Sequence, residues 1–334
     1  MSRLGVGIVG LNGHQIHHKL ADHPRAALVA ATDCRSETFA DWPRPPRLYP
    51  NLDALLADDR VQLVSLCSSR RDGQAEQAIR CLAAGRHVYA EKPCATSEAD
   101  LDRLVAAAQA SGRIFHEMAG TAFAQPYLAM REVVSRGTLG RIVQVLAQKS
   151  YPYHDGRPQD EGVDGGLTAQ AAIHAVRMIE HVAQVRVAEV CAVETTRGNP
   201  GRGDLRMAAS LQMRLVNGGL ATVIANYLNP RSTGIHGNEY LHIFGTEGLL
   251  EARRRDNTAR LYLADRDAGP LPLADSVDYF EPFLDEILDN APPLLKMEDE
   301  LHPTRVVLRA RQSAGDASAA GNPERMTWSD LCNG

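Results

Sequence analysis

The stretch GIVGLNGHQIHHKL, Gly7 to Leu20, decides the fold. It follows an apolar run that begins at Leu4 and has the outline of a phosphate-binding turn between a strand and a helix. Such a turn needs glycine where backbone amides at a helix N-terminus approach a pyrophosphate. Gly10 and Gly13 are present. Counting from Gly10 puts Asn12 and Gln15 at the later glycine positions, and counting to Gly13 puts Ile8 at the first. Asn12 is the most tolerable substitute, because asparagine accepts left-handed backbone angles better than other non-glycine residues. The context adds to the motif: a second apolar run ends in VAATDC, which places Asp33 about twenty residues downstream, where an acid accepts both ribose hydroxyls of an adenosine half. A turn aspartate closing a strand is the alternative. His14, His17 and His18, spaced i, i+3 and i+4, imitate a metal pair on a helix, but no carboxylate or cysteine stands beside them at ligand spacing. No metal is expected.

Outward from this turn, strand and helix signals alternate to about residue 120. Leu4 to Val9, Ala26 to Thr32, Leu63 to Cys67, His87 to Ala90 and Arg113 to Glu117 are short apolar runs bounded by polar or turn residues. Asp72 is placed to cap GQAEQAIRCLAA, closed by Gly85, and Thr96 or Ser97 to cap EADLDRLVAAAQAS, closed by Gly112. This alternation predicts an α/β chain with a Rossmann-type, doubly wound parallel sheet over residues 1–122, whose ligands sit at the carboxyl ends of the strands. Beyond it the pattern changes. After a helix at Tyr127 to Ser135, longer strand candidates run at Ile142 to Ser150, Val187 to Glu194, Arg206 to Leu215, Leu220 to Tyr227 and Tyr240 to Phe244. The turn signals NGG and GTEG between neighbours favour a large open mixed or antiparallel sheet in a second α/β domain, residues 123–334. One helix, Gly166 to about Gln184, interrupts these strands. Thr195 to Gly203 and Arg253 to Asn257 read as exposed loops.

Composition excludes several classes. A chain of 334 residues with 44% hydrophobic content buries a large core, and a net charge of -5 argues against nucleic acid or an anionic membrane as partner. No stretch reaches the roughly 20 apolar residues of a membrane span, and Met1 to Val9 does not resemble a signal peptide. The expected location is the cytoplasm. Cys34, Cys67, Cys81, Cys94, Cys191 and Cys332 include no C-x-x-C pair, so reduced structural thiols are expected.

A resemblance covers nearly the whole chain. HVYAEKPCATSEADLDRLVAAAQASGRIF resembles the signature region of the Gfo/Idh/MocA oxidoreductases, with Glu91, Lys92 and Pro93 as its E-K-P tripeptide, and GGLTAQAAIHAVRMI is similar to that family's G-G-x-x-x-D-x-x-x-H segment. GTLGRIVQV, NGGLATVIANY and LHIFGTEGLLEA match in the expected order. The resemblance implies an N-terminal Rossmann domain, a substrate-binding C-terminal α/β domain, NAD or NADP as cofactor, and a homodimer or homotetramer formed through the C-terminal sheet. Residue by residue, it implies that Lys92 holds the reacting oxygen at a strand end and that His174 is the general base. Gly10, Asn12, Gly13, Asp33, Ser69, Arg70, Arg71 and Glu91 are the expected cofactor contacts, and Asp33 favours NAD over NADP by repelling a 2′-phosphate. Tyr151, Tyr153, His154 and Arg157 follow a strand just before the His174 helix and are candidates to line a pocket for a small polar substrate; an exposed loop is the alternative.

Three departures from the family pattern stand out. Gln170 replaces the usual aspartate four residues before His174; it hydrogen-bonds but does not titrate. The T-P-N turn is replaced by Ser69, Arg70 and Arg71, and Arg70 or Arg71 is expected to supply part of the anion binding that the glycine-poor turn lacks. HEMAGTAF carries Glu117 where the family has aromatic and arginine residues, and Glu117 and Gln170 are expected to contact substrate together with Lys92, Tyr153, His154 and His174. The expected function is nicotinamide-dependent redox chemistry on a secondary hydroxyl or carbonyl of a sugar, cyclitol or related molecule. A non-catalytic nucleotide-binding sensor and an NAD-assisted lyase or glycosidase are the alternatives.

Overall fold

The structure is a computed structural model and describes residues 3–253 and 256–319. Cys332 and the two arginines in the middle of the expected Arg253 to Asn257 loop lie outside the described residues. In chain order the elements are β1 (Leu4–Val9), α1 (His17–Leu20), β2 (Ala26–Thr32), β3 (Arg47–Leu48), α2 (Leu52–Leu56), β4 (Leu63–Leu66), α3 (Gln74–Ala83), β5 (His87–Ala90), α4 (Glu98–Ser111) and β6 (Phe115–Glu117). There follow α5 (Tyr127–Ser135), β7 (Ile142–Ser150), α6 (Ile173–Arg177), β8 (Val187–Thr195), β9 (Ala208–Leu215), β10 (Leu220–Asn226), β11 (Asn238–Gly245), β12 (Gly248–Arg253), β13 (Thr258–Leu263), β14 (Arg266–Pro270), α7 (Phe280–Asp289) and α8 (Met297–Ala319).

The chain divides into two compact units: residues to Met118 with Phe280–Glu300, and Ala119–Tyr279 with the residues from Leu301 onward. The first unit is a six-stranded parallel sheet of order β3-β2-β1-β4-β5-β6, whose switch point lies between β1 and β4. Its central strands β1 and β4 are buried at every residue, as a parallel sheet covered on both faces requires. Ser97 caps α4, its hydroxyl accepting from Asp100 N at 3.1 Å, and Gly112 ends that helix in the left-handed region. The cap expected at α3 is different. Gly73 occupies the N-cap without a side-chain bond, because Asp72 takes the charged donor of Arg70 at 2.5 Å in place of a backbone amide.

A single cut after residue 122 does not describe the division, since α7 returns to the first unit. Phe280, Phe283 and Leu284 form its buried face, and the Phe280 and Phe283 rings lie 5.6 and 5.2 Å from that of Tyr89 on β5. His116 on β6 completes this packing. Its Nδ1 lies 2.6 Å from Glu300 and its Nε2 2.7 Å from Glu286, with both the imidazole and the Glu300 carboxylate buried.

The second unit is an eight-stranded sheet of order β14-β13-β12-β11-β7-β10-β9-β8, antiparallel throughout except for the β7–β10 pair. The helix at residues 166–182 packs on one face, and side chains on β9 and β10 alternate buried and outward accordingly. The other face leaves Val193, Leu220, Ile224 and Phe244 exposed. That helix is not the uniform α-helix its sequence predicts: only α6 is α-helical in its middle, and the turns at Thr168–Ala172 and Met178–Val182 are widened to π geometry.

Burial disfavours the charged form of His116, but the charges and hydrogen bonds of Glu300 and Glu286 outweigh it and hold the imidazole pKa up at about 10. Because this lies above the unfolded value of 6.5, the stabilisation is fully present below about pH 6.5 and is lost as the pH rises through about 10. Thermal melting across this window should show wild type losing stability toward alkaline pH. His116→Ala should melt lower, by about 3 kcal/mol at neutral pH, because the buried Glu300 carboxylate loses its imidazolium and keeps only hydrogen bonds such as that from Glu117 N. A pH profile for the variant parallel to wild type would contradict this.

Candidate active site

The Gly7 to Leu20 turn is built around a buried carboxylate. At the end of β1, Gly10 has φ +68 and passes so close to β4 that a Cβ would stand 2.4 Å from Cys67 O and 3.3 Å from Asp33 Oδ2. Asn12 N then donates to Cys67 O at 3.0 Å. Gly13 has φ +92, and a Cβ there would fall 2.6 Å from Glu91 Oε2. The closeness has a cause: Glu91 Oε2 accepts from His14 N at 2.5 Å and lies 2.9 Å from His14 Nδ1, while Oε1 accepts from Lys92 N at 3.1 Å. Burial pushes the Glu91 carboxyl pKa up, but the His14 hydrogen bond and the charges of His14, Lys92 and Arg71 bring it down to about 2. Glu91 is therefore an ionised clamp under the turn.

Two other side chains finish the work that missing glycines leave undone. Gln15, buried, donates to Gly10 O at 3.0 Å and accepts from Ser65 Oγ at 2.7 Å, so it ties the turn to β4. Arg71, also buried, donates from Nη2 to Asn12 O at 3.0 Å, from Nε to Lys92 O at 3.4 Å and from Nη1 to Ser68 O. Three backbone carbonyls thus occupy the guanidinium expected to bind phosphate. Arg70 is exposed and paired with Asp72.

Asn12 keeps an ordinary backbone angle, so its expected left-handed tolerance is not used. His14 precedes α1, which begins at His17, so the three histidines do not share a helix.

Asp33 stands at the carboxyl end of β2 with φ +54, and Ser69 Oγ lies 3.5 Å from its Oδ2. Gly10, Asp33 and Ser69 therefore meet at the switch point. The residues fit an adenine dinucleotide: a glycine turn follows the first strand of a parallel sheet, and an exposed carboxylate stands at the end of the neighbouring strand. Lys92, next to the clamp at the end of β5, is buried rather than a surface lysine, and its peptide bond to Pro93 is cis. Glu117, fully buried, accepts from Cys94 N at 2.7 Å and so braces the E-K-P segment.

In the second unit, the Gly165-Gly166 pair admits the carboxylate of Glu161. A Cβ on Gly166 would lie 2.4 Å from Glu161 Oε2, and Glu161 Oε1 accepts from Leu167 N at 3.3 Å, the first turn of the helix, and from Arg206 N at 2.7 Å. Burial pushes the Glu161 carboxyl up to about 7. Gln170 donates to Asp164 O at 2.7 Å, anchoring the helix to the loop before it. His174, buried on α6, faces Tyr151 edge-on with ring centroids 6.2 Å apart. Tyr153 is half-buried and His154 exposed.

Sequence reasoning missed Lys149, His236, Tyr227 and Glu161. All but Glu161 surround Tyr151 or the Arg157 that stacks beside it, and their positions on separate strands and loops carry no common spacing.

A nucleotide edge at the switch point of a doubly wound sheet, with a histidine-bearing helix on a separate mixed sheet, is the build of a nicotinamide-dependent oxidoreductase. Residues 4–118 match the family model described as the oxidoreductase family with NAD-binding Rossmann fold, and residues 127–251 match the GFO/IDH/MocA C-terminal domain. The chain belongs to the Gfo/Idh/MocA family and is an NAD(P)-dependent dehydrogenase.

It is 25% identical to myo-inositol 2-dehydrogenase of Thermotoga maritima over 318 residues, 88% of this chain and 91% of that one. Among solved structures, the aldose-aldose oxidoreductase from Caulobacter crescentus superposes with a TM-score of 0.80 at 20% identity, covering 95% of this chain and 98% of that one. Levoglucosan dehydrogenase, solved with NADH and L-sorbose, gives 0.78 at 18%, covering 94% and 97%. No described helix is long and apolar enough to cross a membrane.

Arg71 is bonded to the backbone of the turn, so its expected effect on cofactor binding runs through the turn. Arg71→Ala should weaken NADH binding, followed by fluorescence titration, by about tenfold, the scale of a lost charge-assisted hydrogen bond. The salt dependence of binding should stay unchanged. A flatter salt dependence in the variant would mean that Arg71 meets a phosphate after all.

Proposed function

We propose that the protein moves a hydride between nicotinamide and a secondary hydroxyl or carbonyl of a sugar, cyclitol or related polar molecule, using NAD rather than NADP. The observation that carries this is the placement of Lys92: a buried ammonium at the carboxyl end of β5, adjacent in the chain to the carboxylate that clamps the nucleotide turn. When bound, the nicotinamide supplies the hydride acceptor or donor. Gly10, Asn12 and Gly13 would hold the pyrophosphate and Asp33 the ribose hydroxyls, with Ser69 beside Asp33.

Lys92 hydrogen-bonds the reacting oxygen and stabilises negative charge that develops there. His174 removes the hydroxyl proton in the oxidative direction and returns it in the reductive one. Gln170, held to Asp164 O, orients the helix that bears His174 and leaves the proton transfer to the imidazole. Asp33 repels a 2′-phosphate, which sets the cofactor preference. The names of the inositol and sugar dehydrogenases among the relatives support the substrate class.

A polyol and sugar screen followed by nicotinamide absorbance tests this, with NAD and NADP titrated in parallel. Lys92→Ala and His174→Ala should each lower kcat by about 100-fold or more while NAD still binds more tightly than NADP. Turnover at the wild-type rate in both variants, or tighter NADP binding, contradicts the assignment.

A further inference from the structure

The second unit gathers basic side chains around one tyrosine. Lys149 Nζ lies 4.7 Å from the Tyr151 ring centroid, the His236 ring 5.2 Å, the Arg157 guanidinium carbon 5.8 Å and the His174 ring 6.2 Å. The Lys149 charge is already met by Glu239, which also accepts from Tyr127 Oη at 2.9 Å. Arg157 differs. Its guanidinium lies 3.6 Å over the ring of fully buried Tyr227, a cation–π stack that fixes its plane. Its Nε is buried without a hydrogen-bond partner, and among the described residues no carboxylate pairs with it.

Arg157 also acts on the neighbouring imidazoles. Burial pushes the His154 imidazole toward its neutral form, and Arg157, His236 and Arg231 push it the same way against Asp155. Burial, Arg157 and Lys149 do the same to His236. The other nearby acids are Asp164 and Glu161, both felt by Tyr227, and burial holds Glu161 toward its protonated form. His154 and His236 are exposed, so the rim beside Arg157 is open to solvent.

We propose that the rim around Tyr151 binds a carboxylate carried by the substrate, with Arg157 as the forked contact and His154 and His236 beside it. The substrate is then a sugar or polyol acid, not a neutral sugar. A guanidinium held flat presents parallel donors that match a carboxylate's two oxygens, a specificity a neutral hydroxymethyl group cannot satisfy. This deepens the oxidoreductase proposal and rests on it for the identity of the ligand as substrate.

D-Glucuronate and D-glucose make the test, because they differ only by a carboxylate in place of a hydroxymethyl group. In calorimetric titrations of the NAD-loaded protein, glucuronate should bind at least about tenfold more tightly, as a charge-assisted pair predicts. That advantage should shrink as ionic strength is raised, since the rim is open to solvent. Arg157→Gln should remove most of it, and Arg157→Lys should keep part.

Equal or tighter binding of glucose, no binding of glucuronate, or a full advantage in folded Arg157→Gln overturns the proposal. A salt-insensitive preference in wild type overturns it even if Arg157→Gln does not fold. Arg157-dependent glucuronate binding with no change in nicotinamide absorbance upholds the carboxylate site and removes the proposed sugar chemistry. Turnover of glucose in preference to glucuronate does the reverse.

Discussion

A single buried carboxylate organises the nucleotide end of this molecule. Glu91 lies beneath the first turn, accepts the backbone amide of His14, and occupies the space that a side chain at residue 13 would need. An ionised group in such a place is costly unless paired and hydrogen-bonded. Here it has His14, the Lys92 amide and the charge of Arg71. Its folded pKa, about 2, lies below the ordinary 4.5, so the stabilisation is present above about pH 4.5 and lost as pH falls toward 2. The same residue sets the start of the E-K-P segment, so the turn and Lys92 share one anchor.

This explains why the glycine count misleads. A glycine-rich turn holds its shape by backbone freedom alone. Here Gln15, Arg71 and Glu91 hold the turn with side chains, and a sequence scan for glycine spacing sees only what is missing. The strands were legible because buried parallel strands are short apolar runs, and α4 was legible because Ser97 and Gly112 are strong end signals. β3 and α2 were not, since two residues and one helical turn show no period. The return of α7 to the first unit was equally hidden: its phenylalanines mark an apolar face but do not say which sheet the face meets.

The candidate site divides along the same line. Gly10 and Asp33 were named from their places after strands, and Lys92 and His174 from the resemblance of their segments to the family pattern. The residues around Tyr151 come from β7, the loops at 151–165 and 227–237, and α6, and only folding brings them together. Gln170 shows how a departure from a family pattern can be absorbed. Its amide has a structural bond to the preceding loop, and the helix it steadies carries widened turns on both sides of His174.

The central claim is that the ionised Glu91 clamp, more than glycine spacing, shapes the nucleotide turn. Glu91→Gln tests it most directly, since the amide keeps the volume and one acceptor but loses the charge. NADH affinity of the folded variant, measured by fluorescence titration at neutral pH, should fall by about tenfold or more, the scale of a charged hydrogen bond worth about 1.5–3 kcal/mol. An affinity equal to that of wild type would contradict the account.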